Sequence, residues 1–124
     1  MKIRIYDDSV RLRLDRTEVD TIGAGGAVSS QTRFPGGTEF RYRLEAGDVA
    51  QVTAGFSAGC ICVSLPRTMA TQWAADEAAV SIRGSAAHAT GATALLVEKD
   101  FECLEPRAGE DQSNRFVNPK AVSG

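Results

Sequence analysis

The sequence predicts an α+β fold made of two ββαββ units, and three observations lead to this prediction. Several short runs alternate polar and apolar residues, as half-buried strands do. Two short segments with helical spacing each follow a hairpin pattern. Local matches also recur in the same order, with an offset that grows from 51 to 55 residues. The matching segments are residues 14–17 with 65–68, 27–29 with 79–81, and 38–43 with 93–98.

The first unit is predicted to cover residues 1–50. Its alternating runs predict strands at residues 2–6, 9–14, 28–34 and 39–45. Asp7-Asp8 separates the first two runs and indicates a hairpin turn. Asp15 suits a helix N-cap, and Glu18 is spaced as its capping-box partner. We expect this helix to end at Gly23.

The second unit is predicted to cover residues 51–103 in the same element order. Its strands are expected at residues 51–56, 60–65, 79–84 and 93–101. Pro66 fits the first turn of a helix, where its missing N–H is not needed. Met69 and Trp73 are spaced i and i+4 and are predicted to form the buried stripe of that helix. Residues 104–124 change in composition, which predicts an exposed C-terminal tail after a single domain.

The strand pattern predicts one apolar and one polar sheet face. The aligned apolar positions are Val10, Leu12 and Leu14 with Ile61, Val63 and Leu65, and Phe40 and Tyr42 with Leu95 and Val97. Two short helices covering such a face are typical of a mainly antiparallel sheet. Eight strands could also curl into a partly closed barrel. Lys99 is in phase with Leu95 and Val97, so we expect its stem on the apolar side and its amine at the rim.

Composition limits the function classes. A chain of 124 residues, 43% hydrophobic and 24% charged, is about one globular domain. A net charge of −2 gives no global attraction to nucleic acid or anionic lipid. The sequence has no apolar signal-peptide core and no run near the about 18 apolar residues of a membrane span. Because three cysteines cannot all pair within a chain, a reducing compartment is favoured. We expect a cytoplasmic protein with no cofactor, nucleic-acid partner or membrane partner.

The polar face is the first candidate site. It would carry arginines from two strands of the first unit and carboxylates from one strand of the second. The candidate ligand-binding residues are Arg11, Arg13, Arg41, Arg43, Glu98 and Asp100, with Lys2 and Arg4 nearby. Arginines on rigid strands suit bidentate capture of phosphate or carboxylate groups. The alternative is a solvated face whose arginines pair with the chain's own carboxylates.

A thiol and imidazole set is the second candidate site. Cys60, Cys62, His88 and Cys103 are of the types that zinc accepts. Their spacing matches no recognised zinc pattern, and cysteine is often a small buried hydrophobe. We therefore predict no metal site and no catalytic residues.

The alternating charged strands resemble those of the triphosphate tunnel enzymes. In that family the charged residues line a closed barrel. This chain lacks the family's N-terminal signature of two alternating glutamates followed by a lysine, and begins Met1-Lys2-Ile3-Arg4-Ile5 instead. Without that signature the metal ligands of the family's chemistry are missing.

Both ends of the chain resemble a small family of uncharacterised bacterial proteins. The shared residues are Lys2-Ile3-Arg4-Ile5, Arg11-Leu12-Arg13-Leu14, Val97-Glu98-Lys99-Asp100-Phe101, Cys103-Leu104, Pro106-Arg107 and Glu110-Asp111. The resemblance spans nearly the whole chain and implies that residues 106–111 belong to the domain. It implies no activity.

Three functions remain open from the sequence. The first is a non-enzymatic binding domain whose arginine-bearing face takes an anionic ligand or an acidic protein partner. The second is a small phosphate-ester or triphosphate hydrolase, with Glu98 and Asp100 as metal ligands. The third is a structural homodimer that pairs through an exposed strand edge.

Overall fold

A computed structural model describes residues 1–100 of the 124-residue chain, and in this part the ββαββ order occurs twice, as predicted. The elements of the first unit are β1 (Lys2–Ile5), β2 (Ser9–Leu14), α1 (Arg16–Gly23), β3 (Ala27–Arg33) and β4 (Glu39–Gly47). Those of the second unit are β5 (Thr53–Ser57), β6 (Cys60–Pro66), α2 (Arg67–Ala75), β7 (Ser81–His88) and β8 (Gly91–Lys99). The predicted end of the domain at residue 103 and the predicted tail 104–124 lie outside the described residues.

The strands form two four-stranded sheets, so a single sheet and a closed barrel are both wrong for residues 1–100. Sheet A has the order β1-β2-β8-β7, and sheet B has the order β3-β4-β6-β5. The central pairs, β2 with β8 and β4 with β6, are parallel, whereas the outer pairs are antiparallel. Each helix carries the chain across from one sheet to the other, and both sheets turn their apolar faces to one shared core. Each sheet therefore combines one hairpin from each unit.

One hydrophobic core joins both sheets and both helices. Its buried residues are Leu12, Leu14, Val19, Ile22, Leu44, Ala46, Val52, Val63, Leu65, Ala70, Trp73, Ile82, Leu95 and Val97. Val19 and Ile22 are buried on α1, as helical spacing predicted. The prediction for α2 was wrong in one residue, because Ala70 and not Met69 joins Trp73 in the core. Ala70 lies one helical turn before Ala74, which packs closely on Gly23 of α1, so this side of α2 takes small side chains, whereas Met69 is 38% exposed.

Local signals placed the ends of α1 correctly. Asp15 and Glu18 form the predicted capping box, with bonds of 2.9 Å from Glu18 N to Asp15 Oδ1 and 3.0 Å from Asp15 N to Glu18 Oε1. Pro66 precedes α2 and provides no side-chain cap. Lys99 lies on the apolar side of β8 as expected, but the whole residue is buried, and its Nζ donates a 2.9 Å hydrogen bond to Asp76 O. Neither helix is long and apolar enough to cross a membrane.

The strand registers correct two of the three sequence matches. Glu45 lies opposite Ser64 in sheet B, and Glu98 lies opposite Arg13 in sheet A, which relates β4 to β8 by an offset of 53 residues. The prediction was 55. Ala27 lies opposite Glu45 and Ser81 opposite Glu98, so β3 and β7 are related by 54 residues where 52 was predicted. Aligning the two units by matching residue types gave the wrong register. Strand positions of the two units correspond when they are buried alike, and not when their residue types match.

Candidate functional site

Five cationic side chains lie on the outer face of sheet A. We call this surface the basic face, and its residues are Lys2, Arg4, Arg11, Arg13 and Arg83. Leu12 and Leu14 point into the core, so the alternation of β2 turns Arg11 and Arg13 to the outside. The basic face is thus a direct result of the alternating pattern of β1, β2 and β7.

The registers arrange the basic face in two rows across the sheet. In one row Lys2 lies opposite Arg13, which lies opposite Glu98. In the next row Arg4 lies opposite Arg11, and Leu96 separates Arg11 from Arg83. The parallel pairing of β2 with β8 therefore brings together Arg11, Arg13 and Glu98 of the predicted site.

Glu98 is the carboxylate at the centre of the basic face. Its Oε1 accepts hydrogen bonds of 2.9 Å from the Nε atoms of both Arg11 and Arg13. Burial acts to raise the pKa of Glu98, but the hydrogen bonds and charges of Arg13 and Arg11 outweigh it and hold the pKa below its ordinary value. Glu98 is therefore ionised at neutral pH and is engaged by two cations, which does not favour a role as a metal ligand.

Positive charge exceeds negative charge on the basic face. A single carboxylate serves both Arg11 and Arg13. Asp100, the remaining predicted carboxylate, is buried, and its Oδ2 lies 3.1 Å from Lys2 Nζ. Within residues 1–100, Arg4 and Arg83 make no hydrogen bond or ion pair. The face consequently offers guanidinium donors that the carboxylates of residues 1–100 do not use.

Two depressions in the protein surface lie along the basic face. One, of about 190 Å³, is lined by Lys2, Ile3, Arg4, Arg11 and Arg13. The other, of about 440 Å³, contains Arg4, Arg11 and Arg83 together with Tyr6 and Leu96. Because Arg4 and Arg11 line both depressions, they are at the centre of the candidate site.

Arg41 and Arg43 lie elsewhere, so the prediction of one polar face bearing all four arginines was wrong. Both residues are on the outer face of sheet B, where they line a separate depression with Gln31 and Cys60. Arg43 Nε donates to Glu45 Oε1 at 3.1 Å, which engages this arginine within its own strand. The physical reason is the exchange of hairpins, which places β2 and β4 in different sheets.

Cys60 and Cys62, the cysteines within residues 1–100, do not form a candidate metal centre. Among residues 1–100, no group of three His, Cys, Asp or Glu side chains could hold a metal ion. Cys60 and Cys62 lie on sheet B, whereas His88 ends β7 in sheet A. Burial and the nearby Glu45 carboxylate raise the pKa of Cys62, so its sulfur is a thiol at neutral pH. Cys103 lies outside the described residues.

Sequence reasoning missed Arg83 as a member of the basic face. The available signal was the alternation of Ser81, Ile82 and Arg83, in which Ile82 is the buried residue. The neighbour of β7 could not be read from that pattern, since periodicity assigns a residue to a face but not a strand to a sheet.

Comparison with known proteins gives a family but no activity. The model of a family of unknown function, DUF7009, matches residues 1–120, so the chain belongs to this family. This confirms the expected membership of an uncharacterised family over nearly the whole chain. No curated protein and no solved structure matches the chain.

Proposed function

Because the chain belongs to a family with no assigned activity, we propose its function from the basic face: a non-enzymatic domain that binds a multivalent anionic ligand on the outer face of sheet A. The ligand's oxygens contact Arg4, Arg11 and Arg83, and Glu98 holds Arg11 and Arg13 in position. The chemical class is phosphate or clustered carboxylate, since guanidinium donors match the geometry of both.

The observation that carries this proposal is that like charges lie directly opposite each other on the neighbouring strands β1 and β2. Lys2 lies directly opposite Arg13, and Arg4 lies directly opposite Arg11, on the β1–β2 hairpin. Directly opposed like charges destabilise a strand pair by about 0.2–1 kcal/mol. Asp100 and Glu98 compensate the charges of Lys2 and Arg13, whereas Arg4 has no carboxylate partner within residues 1–100, so a bound anion would mainly stabilise the Arg4–Arg11 pair.

The donors left on Arg11 and Arg13 support the same function. Each guanidinium uses its Nε for Glu98, and within residues 1–100 their η nitrogens donate no hydrogen bond. The Nε contacts restrict the orientation of both side chains before a ligand arrives. Less side-chain entropy is then lost on binding, because the two guanidiniums are already positioned.

Titration calorimetry at low ionic strength tests the proposal, with inorganic phosphate, pyrophosphate and citrate as probes and chloride as the reference anion. We expect pyrophosphate and citrate to bind more tightly than phosphate, and affinity to fall as salt is added. Arg4→Gln and Arg83→Gln should each weaken binding about ten- to hundredfold, the range expected when one charged hydrogen bond is lost.

Arg41→Gln is the matched control, because it removes the same charge from sheet B. It should leave the affinity of pyrophosphate within about twofold of the unmodified protein. If Arg4→Gln and Arg41→Gln lowered the affinity for pyrophosphate equally, the net charge of the protein would explain the effect. That result would contradict a site on sheet A. An acidic peptide that binds while all three small anions fail would assign the basic face to a protein partner instead.

A further inference from the structure

The two sheets part at the end of the molecule remote from the helices and leave a groove there. We call this groove the apolar cleft. The apolar side chains that line it are Ile5, Val10, Ala54, Phe40, Phe56, Ile61 and Ala86. They come from both sheets, and the opening lies on the core side of each sheet and not on the basic face.

Burial along the strands shows that the apolar cleft is an opening of the core. On β2, Val10 is partly buried, whereas Leu12 and Leu14 are fully buried. On β6, Ile61 is partly buried, whereas Val63 and Leu65 are fully buried. The helices close the far end, so the inward side of each strand runs from an open mouth to a closed, packed interior.

The size and lining of the apolar cleft suit a small ligand. Its volume is about 570 Å³, within the range of about 300–1,000 Å³ of small-molecule sites. Phe56 is 67% exposed and Ile5 is 53% exposed at its mouth. Exposed apolar side chains gathered around a concavity mark a binding site more often than scattered ones do. The small side chains of Ala54 and Ala86 leave room in its walls.

The charged groups at the mouth of the apolar cleft have one sign. Asp7 and Asp8, in the β1–β2 turn, line it, and no lysine or arginine does. Within residues 1–100 neither aspartate makes an ion pair. His88 and Thr93 are the remaining polar side chains of the lining. The cleft thus combines apolar walls with two carboxylates at one end.

We propose that the apolar cleft binds a small amphiphilic cation, an alkyl or aryl amine whose apolar body lies between the sheets. Its ammonium group lies beside Asp7 and Asp8, and its body contacts Phe40, Phe56 and Ile61. This site is separate from the basic face and requires a ligand of the opposite charge. Its failure in a test would therefore leave the anion proposal unaffected.

Three probes with the same ten-carbon chain test the proposal on the full chain: decylammonium, decanol and decanoate, each below its critical micelle concentration. Calorimetry should rank decylammonium first and decanoate last. Two exposed carboxylates account for a preference of about two- to tenfold for decylammonium over decanol. Backbone amide chemical shifts should change around residues 54–56 and 86–88 and not around the basic face.

Two sets of variants locate the site. Asp7→Asn with Asp8→Asn should remove the preference for decylammonium over decanol and leave decanol binding unchanged. Asp7 has a φ of 48°, a conformation that asparagine tolerates. Ala54→Leu fills the cleft and should weaken all binding at least about tenfold by loss of volume. Thr53→Leu adds the same side chain on the outer face of sheet B and should change nothing. Ala86→Leu fills the opposite wall if Ala54→Leu fails to fold.

Three results would overturn the proposal. The first is decanoate binding as tightly as decylammonium. The second is decylammonium binding that survives both Ala54→Leu and Ala86→Leu in folded protein. The third is concentration-dependent dimerisation, measured by sedimentation, that either filling variant abolishes; this result would assign the cleft to a second copy of the chain.

Discussion

Arg4 lies directly opposite Arg11 on the outer face of the β1–β2 hairpin. Arg11 is held by Glu98, but within residues 1–100 Arg4 has no carboxylate partner. The pair thus sets two guanidiniums side by side with one counter-charge, Glu98, which Arg11 shares with Arg13. This relationship links the stability of sheet A to the ligand proposed for it.

Arg4→Gln should stabilise the protein while weakening its affinity for pyrophosphate. Removing one charge relieves the repulsion of the opposed pair, so the free energy of unfolding should rise by about 0.2–1 kcal/mol. Urea denaturation at low ionic strength measures the free energy of unfolding, and added salt should reduce its increase in Arg4→Gln. Arg41→Gln is the control, because Arg41 lies opposite the uncharged Gln31 and Cys60. A loss of stability in Arg4→Gln would show that Arg4 has a structural partner.

Glu98→Gln should destabilise the protein, since it leaves Arg11 and Arg13 without a counter-charge. We expect the free energy of unfolding to fall by about 1–3 kcal/mol, the range for losing hydrogen bonds to a charged group. Urea denaturation near neutral pH measures this change. The double variant Glu98→Gln, Arg11→Gln should recover part of the loss, because one uncompensated charge is removed with it. No recovery would mean that Arg13 alone determines the effect.

The depressed pKa of Glu98 also predicts a pH dependence. A carboxyl whose pKa is lower in the folded than in the unfolded protein contributes stability above its ordinary value of 4.5. That contribution should decline as the pH falls below 4.5 and disappear once the pH is below the folded pKa. The stability difference between the unmodified protein and Glu98→Gln should therefore narrow on acidification. A difference that stays constant down to pH 3 would contradict the Arg–Glu–Arg arrangement.

Gly23→Ala should weaken the packing of α1 on α2. A methyl group at Gly23 would overlap the methyl group of Ala74, so the helices would have to separate, at a cost of about 1–3 kcal/mol. Thermal unfolding checks this, and Gly47→Ala is the control, because a methyl group there meets nothing within 4 Å. Ala74→Gly in the Gly23→Ala background should recover part of the loss. Purely additive effects would rule out the contact.

Cys62 should react slowly with iodoacetamide at neutral pH, since only its thiolate is nucleophilic. In a Cys60→Ser, Cys103→Ser background, its alkylation rate should show an apparent pKa above the ordinary 9.0. Burial is the main cause and the Glu45 carboxylate the second, so Glu45→Gln should lower the apparent pKa and speed alkylation. Rapid alkylation of Cys62 at neutral pH in the Cys60→Ser, Cys103→Ser background would contradict the partial burial of this thiol.

Several parts of the fold could be predicted because their causes are local. The capping box of Asp15 and Glu18 needs only residues three apart. The inward positions of Leu12, Val63 and Val97 follow from period-two alternation within single strands. The same alternation predicted that Arg11 and Arg13 lie on an outer face, where the structure has them.

Other parts could not be predicted, since they depend on contacts between distant segments. Met69 was predicted to be buried because its spacing from Trp73 is helical, yet α2 buries Ala70, one turn before the Ala74 that meets Gly23 of α1. The matches of residues 27–29 and 38–43 with the second unit were two residues out of register. Polar identities at exposed positions carry no information about which residues are buried together.

The sequence by itself determined the order of the elements, the inward and outward positions of the strands and the cap of α1, because each results from forces between near neighbours in the chain. Only the tertiary structure decided that the units exchange hairpins, which pairs β2 with β8 and β4 with β6. That exchange places Glu98 between Arg11 and Arg13 and separates them from Arg41 and Arg43. Strand pairing is decided by how the whole apolar surface is buried, a quantity that no single segment contains.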